Sequence, residues 1–141
     1  MTFAGINYVA IVIAAVVAWL ASAAWYMSLS RIWVAALGKT VEELHEQRNK
    51  PGAFLPFIYV FVGDLVIAWV LAGLLGHLGA GQVTLVNGVI SAAFCWFGFI
   101  LTTMVANYTF AGRDPRLLLI DAGNWLIVLL IAGAIVGAMG A

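Results

Sequence analysis

Two aspartates, Asp64 and Asp121, lie inside long apolar segments that offer a carboxylate no polar surroundings. An ionised acid at the centre of a bilayer costs about 2.5–3.5 kcal/mol on insertion scales, so it must be protonated, paired or in contact with water. Asp64 is therefore either a proton or cation site or a neutral acid that is hydrogen-bonded to a neighbouring helix. Its segment holds no basic partner, and both interpretations stay open.

Asp121 has polar neighbours in the sequence. Asn124 follows it at i+3 on the same helical face, and Asn107 ends the preceding apolar segment at a similar depth. Arg113 and Arg116 lie in the short loop between the two segments. This spacing predicts a cluster of the aspartate, the two asparagines and one arginine. It would either join two helices through hydrogen bonds or line a transport pathway together with the first acid.

Other reactive residues are scarce. Cys95 is the one cysteine and lies in an apolar segment, and the two histidines, His45 and His77, are far apart in sequence. A Ser/His or Cys/His pair at matching depth, a metal-ligand set and a phosphate loop are all missing from the pattern. We therefore predict no catalytic residues, no metal site, no cofactor and no enzymatic activity.

The composition decides the class of protein. Of 141 residues, 65% are hydrophobic and 9% are charged, and the mean hydropathy is +1.11. Soluble domains carry roughly 25% charged residues. This excludes a soluble enzyme, a nucleic-acid-binding module and a disordered tail, and the net charge of +0 implies no partner. An integral membrane protein remains.

Four apolar segments, 6–29, 53–78, 84–111 and 117–139, reach the roughly 20 residues that cross a bilayer as a helix. None alternates in polarity as a barrel strand would. Ala21-Ser22-Ala23 resembles a signal-peptide cleavage site, but no Lys or Arg precedes it and the apolar run is too long. We predict an all-α fold: a single transmembrane domain over 1–141, folded as an antiparallel, up-down four-helix bundle.

All six basic residues lie on one side of these segments, four between the first and second and two between the third and fourth. The positive-inside rule places both loops in the cytoplasm and both termini outside. Arg31, Arg113 and Arg116 are the candidate basic residues of the cytoplasmic face. Within the loop 30–52, Thr40 and Glu43 form a capping-box pattern that predicts a short surface helix over Val41–Asn49.

Small residues mark the faces on which helices approach closely. Ala14, Ala18 and Ser22 follow one another at i+4, and Gly133 and Gly137 form a GxxxG pattern. Such faces pack helices within one chain or between chains. Internal packing is the safer interpretation in a sequence this rich in Ala and Gly.

A faint repeat links the two halves of the chain. Tyr26 is followed by Arg31, and Tyr108 is followed by Arg113 at the same spacing. A duplicated helical hairpin would explain this spacing, and chance similarity between apolar helices explains it nearly as well.

Several motifs together resemble one bacterial family. They are Trp25-Tyr26, Arg31-Ile32-Trp33, Val41-Glu42-Glu43-Leu44, Gly98-Phe99, Asn107-Tyr108-Thr109-Phe110-Ala111-Gly112-Arg113 and Leu119-Ile120-Asp121-Ala122-Gly123-Asn124-Trp125-Leu126. The chain is similar in these to the domain of unknown function (DUF) 1761 family. It departs from that family at Met27-Ser28, where Ser-Pro is usual, and at Asn124, where an aromatic residue is usual. The resemblance implies a small four-helix bacterial membrane protein and no particular activity.

Two functions fit these features. The first is an accessory, assembly or homo-oligomeric membrane component that acts through helix contacts. The alternative is an oligomeric transporter or channel for protons, ions or small solutes that uses Asp64 and the cluster around Asp121. The expected location is the bacterial inner membrane, with several spans and both termini periplasmic. The expected partners are the lipid bilayer and either further copies of the chain or a larger complex, with no nucleic acid.

Overall fold

A computed structural model describes residues 5–140, and all regular secondary structure in that range is helical. The elements are α1 (Tyr8–Ser28), α2 (Ser30–Ala36), α3 (Val41–Arg48), α4 (Leu55–His77), α5 (Leu85–Cys95), a π-helical segment (Trp96–Leu101), α6 (Thr102–Phe110) and α7 (Pro115–Met139).

Within residues 5–140, four stretches are long and apolar enough to cross a membrane. They are Tyr8–Ser28, Leu55–His77, Leu85–Phe110 and Pro115–Met139, with hydropathies between 2.0 and 2.3. The third combines α5, the π-helical segment and α6 in one continuous helical run. The prediction of an all-α protein with four long apolar helices is confirmed.

Polar side chains cap the helix ends where backbone N–H groups lack a partner. Thr40 and Glu43 form the complete capping box of α3. Asp114 accepts a hydrogen bond from the backbone N–H of Arg116 at the start of α7, and Pro115 occupies the first helical position. The Arg116 side chain also bonds Asp114 and holds the pKa of this carboxyl below its usual range.

The loop 30–52 holds one helix more than the sequence predicts. Leu29 breaks the backbone with φ −105° and ψ 12°, and α2 then begins without a side-chain cap. Val34 and Ala36 are buried, and α2 packs against α7. Packing against α7 therefore stabilises this helix, and neither a capping residue nor a charged face in the sequence predicts it.

The last helix, α7, occupies the centre of the fold and packs against α1, α4 and α5. Its glycines allow the closest approach. A Cβ atom added at Gly133 would collide with the carbonyl oxygen of Gly88 on α5, and one added at Gly137 would collide with that of Thr84. The GxxxG pair therefore packs against a helix of its own chain, with the backbones nearly touching.

Alanines line the inner face of α1. Ala14 and Ala18 are at most 1% exposed, and the helix packs against both α4 and α7. Trp19 fixes the register of α1 against α4, because its Nε1 donates to the carbonyl oxygen of Phe57 at 3.1 Å and its ring meets Phe61 edge-on at 6.1 Å between centroids.

The third span changes its geometry midway. Gly88 and Ala92 of α5 are buried, whereas the π-helical segment and α6 contribute no buried residue among those described. Hydrogen bonds from i to i+5 leave backbone carbonyls without N–H partners where the α-helix resumes. The hydroxyls of Thr102 and Thr103 donate to the carbonyl oxygens of Gly98 and Phe99 at 2.7 and 2.6 Å.

Candidate functional site at Asp121

The carboxyl group of Asp121 is held by two tyrosines from different helices. Tyr26 in the last turns of α1 donates its hydroxyl to Oδ1 at 2.6 Å, and Tyr108 in α6 donates to Oδ2 at 2.7 Å. These distances are short, as expected for hydroxyls that donate to a carboxylate. One side chain of α7 thus joins the first and third spans.

Two tryptophans bind the backbone of α7 on either side of this acid. The Nε1 of Trp25 donates to the carbonyl oxygen of Ile120 at 2.9 Å, and the Nε1 of Trp96 donates to that of Ala122 at 2.8 Å. The ring of Trp25 also covers Gly123, where an added Cβ would lie 2.8 Å from its Cζ2 atom. Glycine at this position therefore lets the indole approach α7 closely.

Local structure places Trp25, Tyr26 and Tyr108 at the same depth in the bundle as Asp121. Trp25 and Tyr26 are consecutive, so α1 presents both to the same stretch of α7. A tight turn follows α6: Gly112 adopts φ +60°, and the N–H of Arg113 bonds the carbonyl oxygen of Tyr108 at 3.0 Å. That turn starts α7 beside the end of α6, so Tyr108 reaches an acid only 13 positions later.

A cavity of about 260 Å³ opens beside Asp121. Its lining residues are Leu37, Asn107, Tyr108, Ala111, Arg113, Leu117 and Asp121. The side chain of Arg113 is exposed and makes no ion pair within residues 5–140. Arg116, in contrast, pairs with Asp114 at 2.7 Å, and neither of these two lines the cavity.

The structure thus brings three of the predicted residues, Asp121, Asn107 and Arg113, to one cavity and leaves Asn124 outside it. Asn124 is 3% exposed, and its Oδ1 has no hydrogen-bond partner in the described part of the chain. Arg31 is exposed at the start of α2 and lies away from the cavity.

Neither tyrosine donor is among the site residues predicted from the sequence. The faint repeat in the sequence contains both tyrosines, because Tyr26 precedes Arg31 by the same number of residues as Tyr108 precedes Arg113. That spacing indicates a shared position near the end of a helix, and it does not indicate a shared acceptor.

Asp64 has a different environment. It is 1% exposed, and neither carboxyl oxygen has a hydrogen-bond partner among residues 5–140. The ring of Phe61, one turn before Asp64 on α4, contacts Trp19 on α1. Because the two helices run in opposite directions, Asp64 lies at the level of Ala15, one turn before Trp19, in the alanine-lined part of α1.

Ser22 and Asn124 share a second level. Trp25 and Tyr26 meet α7 at Ile120 and Asp121, and one turn further into the bundle α1 presents Ser22 while α7 presents Asn124. Ser22 is 6% exposed, and its hydroxyl also has no partner in the described residues.

The remaining small residues of the predicted packing faces are buried inside the chain. They are Ala14, Ala18, Gly133 and Gly137. Among the residues described, no three His, Cys, Asp or Glu side chains form a group that could hold a metal ion.

Four long apolar helices around a glycine- and alanine-lined interior define a helical protein with four candidate membrane spans. The chain belongs to the DUF1761 family, described as a protein of unknown function, and the family model matches residues 9–137. The predicted resemblance is confirmed. No curated protein and no solved structure matches the chain. Three of the segments that carry the family resemblance meet at Asp121: Trp25-Tyr26, Asn107–Arg113 and Leu119–Leu126.

Proposed function

We propose that this protein is a four-helix, antiparallel bundle of the bacterial inner membrane that acts through helix contacts, as an accessory, assembly or homo-oligomeric component. The positive-inside rule supports an orientation with the basic loops in the cytoplasm and both termini in the periplasm. We propose no catalytic role.

The unequal burial of the spans is the observation that carries this proposal. The apolar window of Leu85–Phe110 is 6% buried, against 44% for that of Pro115–Met139. Phe94, Phe97 and Phe99 are 75%, 65% and 72% exposed. Gly88 and Ala92 are the buried residues of this span within the described range, and Trp96 and Tyr108 add one hydrogen bond each to α7. Most of the surface of the span therefore remains for lipid or for another helix.

Native mass spectrometry of the mildly solubilised endogenous protein tests this proposal, with blue-native electrophoresis alongside it. We expect either co-migration with a larger membrane complex or a homo-oligomer. A monomer free of partners under both methods would reject the proposal.

Cysteine crosslinking in membranes maps the contact surface. Cys95 is first replaced by Ala, and a single cysteine is then introduced by Phe97→Cys on the exposed span or by Val12→Cys on α1. Both parent side chains are more than half exposed, at 65% and 51%. We expect crosslinks from the first position and none from the control. Equal crosslinking from both would indicate random collision.

Transport is the second candidate, and the buried carboxyl of Asp64, which has no hydrogen-bond partner among residues 5–140, favours it. Intramembrane acids commonly mark ion or proton pathways. Four helices form a pore poorly on their own, so a transporter would be oligomeric, with Asp64, Asp121 and Asn107 along its pathway. Proton or cation flux into proteoliposomes tests this function. Asp64→Asn is expected to abolish flux and leave expression unchanged, whereas undiminished flux would reject the transport function.

A further inference from the structure

The Asp121 carboxyl group has unused capacity to accept hydrogen bonds. A carboxylate offers about four lone-pair sites, and the two tyrosine hydroxyls occupy one on each oxygen. The described residues provide no cation within ion-pair distance of this acid. Because Asp121 also lines the cavity, its remaining lone pairs are available to a ligand there.

The same cavity also presents an unpaired cation. Arg113 lines it and makes no ion pair within the described range. The cavity therefore contains one negative and one positive side chain that do not neutralise each other by direct contact. A ligand that satisfies both must itself carry both charges.

The position of the cavity selects the type of ligand. Asn107 and Tyr108 belong to the last turn of one candidate span, and Leu117 and Asp121 belong to the first two turns of the next. This is the level at which lipid headgroups meet the hydrocarbon core. Leu37, Ala111 and Leu117 add apolar walls. The volume of about 260 Å³ lies just below the roughly 300–1,000 Å³ of sites for whole small molecules.

We infer that this cavity binds the headgroup of a zwitterionic phospholipid that carries a primary ammonium group, of the phosphatidylethanolamine class. The ammonium group donates to the Asp121 carboxylate and to the Asn107 amide oxygen, and the lipid phosphate accepts from the Arg113 guanidinium. The acyl chains lie along the lipid-facing surface of the spans. This site does not depend on the proposed contact function, and it shares Asp121 and Asn107 with the transport pathway of the second candidate function.

Related headgroups lack one of these contacts. Phosphatidylcholine carries a quaternary ammonium with no N–H to donate, and phosphatidylglycerol carries no cation for the carboxylate. Glycerophosphoethanolamine has the same phosphoethanolamine headgroup as the proposed lipid but no acyl chains. These three compounds therefore separate the hydrogen bonds, the charge pairing and the membrane location of the ligand.

Native mass spectrometry of the delipidated, purified full chain in detergent tests the inference. Equimolar phosphatidylethanolamine, phosphatidylcholine and phosphatidylglycerol with identical acyl chains compete for the protein, and glycerophosphoethanolamine is added as a soluble competitor. We expect phosphatidylethanolamine adducts to exceed each of the others about tenfold, the change that one lost charge-assisted hydrogen bond produces. We expect no competition from the soluble compound.

Two variants and a matched control locate the site. Arg113→Gln changes an exposed side chain and is expected to lower phosphatidylethanolamine binding about tenfold. Asp121→Asn leaves the cavity with a net positive charge and is expected to shift the preference to phosphatidylglycerol. Arg48→Gln on α3 removes an equivalent exposed charge outside the cavity and should change neither. Thermal unfolding verifies that each variant is folded.

Equal retention of the three lipids by the wild-type protein would overturn the inference, as would unchanged phosphatidylethanolamine binding by Arg113→Gln. Effective competition by glycerophosphoethanolamine would overturn the assignment to a lipid in favour of a soluble zwitterion.

Discussion

Asp121 and Asp64 are the same residue type, and each lies within an apolar helix, yet their hydrogen bonding and exposure differ. Asp121 receives a tyrosine hydroxyl on each oxygen and also faces a cavity. Asp64 is 1% exposed and receives no hydrogen bond from the described residues. The first acid therefore stabilises the contacts among three helices, whereas the second adds an unfavourable free energy of desolvation to folding.

The comparison separates two roles for an acid in a membrane protein. Removal of a well-bonded acid leaves its donors without an acceptor and destabilises the fold. Removal of a buried acid without partners takes away a desolvation cost and is tolerated, unless a function requires that acid. Stability and activity should therefore respond in opposite ways at the two positions.

The largest expected effect is that of Asp121→Leu. It leaves the hydroxyls of Tyr26 and Tyr108 without their acceptor, which should lower the free energy of unfolding by about 2–5 kcal/mol. Denaturant-induced unfolding in detergent, followed by tryptophan fluorescence, measures the change. Asp121→Asn, which keeps one acceptor oxygen, serves as the control and should lose less. Wild-type stability in the leucine variant would show that the two hydrogen bonds contribute nothing.

Removal of a single donor should have an intermediate effect. Tyr26→Phe deletes one hydrogen bond to the carboxyl group and should cost about 1.5–3 kcal/mol. A double-mutant cycle with Tyr108→Phe, measured by the same unfolding assay, tests whether the hydroxyls act together. We expect a non-additive result, because both hydroxyls bind one acceptor. Strict additivity would instead indicate independent sites.

Asp64→Leu should change the free energy of unfolding by no more than about 1 kcal/mol, because the loss of an unpartnered carboxyl offsets the strain of a larger side chain. The same unfolding assay measures it beside Asp121→Leu. A loss as large as that of Asp121→Leu would contradict the contrast between the two acids.

The smallest effect concerns Asp114, a third acid that lies outside the spans and caps α7. The bonds from Arg116 lower its pKa, so its contribution to stability is present above the ordinary Asp pKa of about 3.9 and is lost as the pH falls through the lower folded value. Arg116→Gln should shift this loss to higher pH. Thermal unfolding between neutral and acidic pH measures the shift, and identical profiles for both proteins would contradict it.

The sequence predicts the four long helices because hydropathy and length alone determine membrane-spanning segments. It also predicts part of the site, since Asn107, Arg113 and Asp121 are close in sequence and flank one tight turn. Both predictions depend on local information.

The missing parts of the site depend on contacts between distant residues. Tyr26 meets Asp121 across 95 positions, and this contact depends on how α1 is rotated against α7. The π-helical segment contains no proline that would mark it in the sequence, and it starts at Trp96, whose indole bonds the backbone of α7. Helix α2 likewise begins without a side-chain cap and packs against α7, which is a contact between distant residues.

The wider turn at Trp96–Leu101 holds about one residue more than an α-helical turn does, and it takes up that residue without rotating the helix that follows. Tyr108 after the turn and Gly88 and Ala92 before it therefore both lie against α7. A residue added or removed in the regular turns between Thr102 and Tyr108 would instead rotate Tyr108 away from Asp121 by about 100° around the helix axis. The polar end of the protein therefore depends on the length of α6, whereas the wide turn is where the third span accommodates an extra residue.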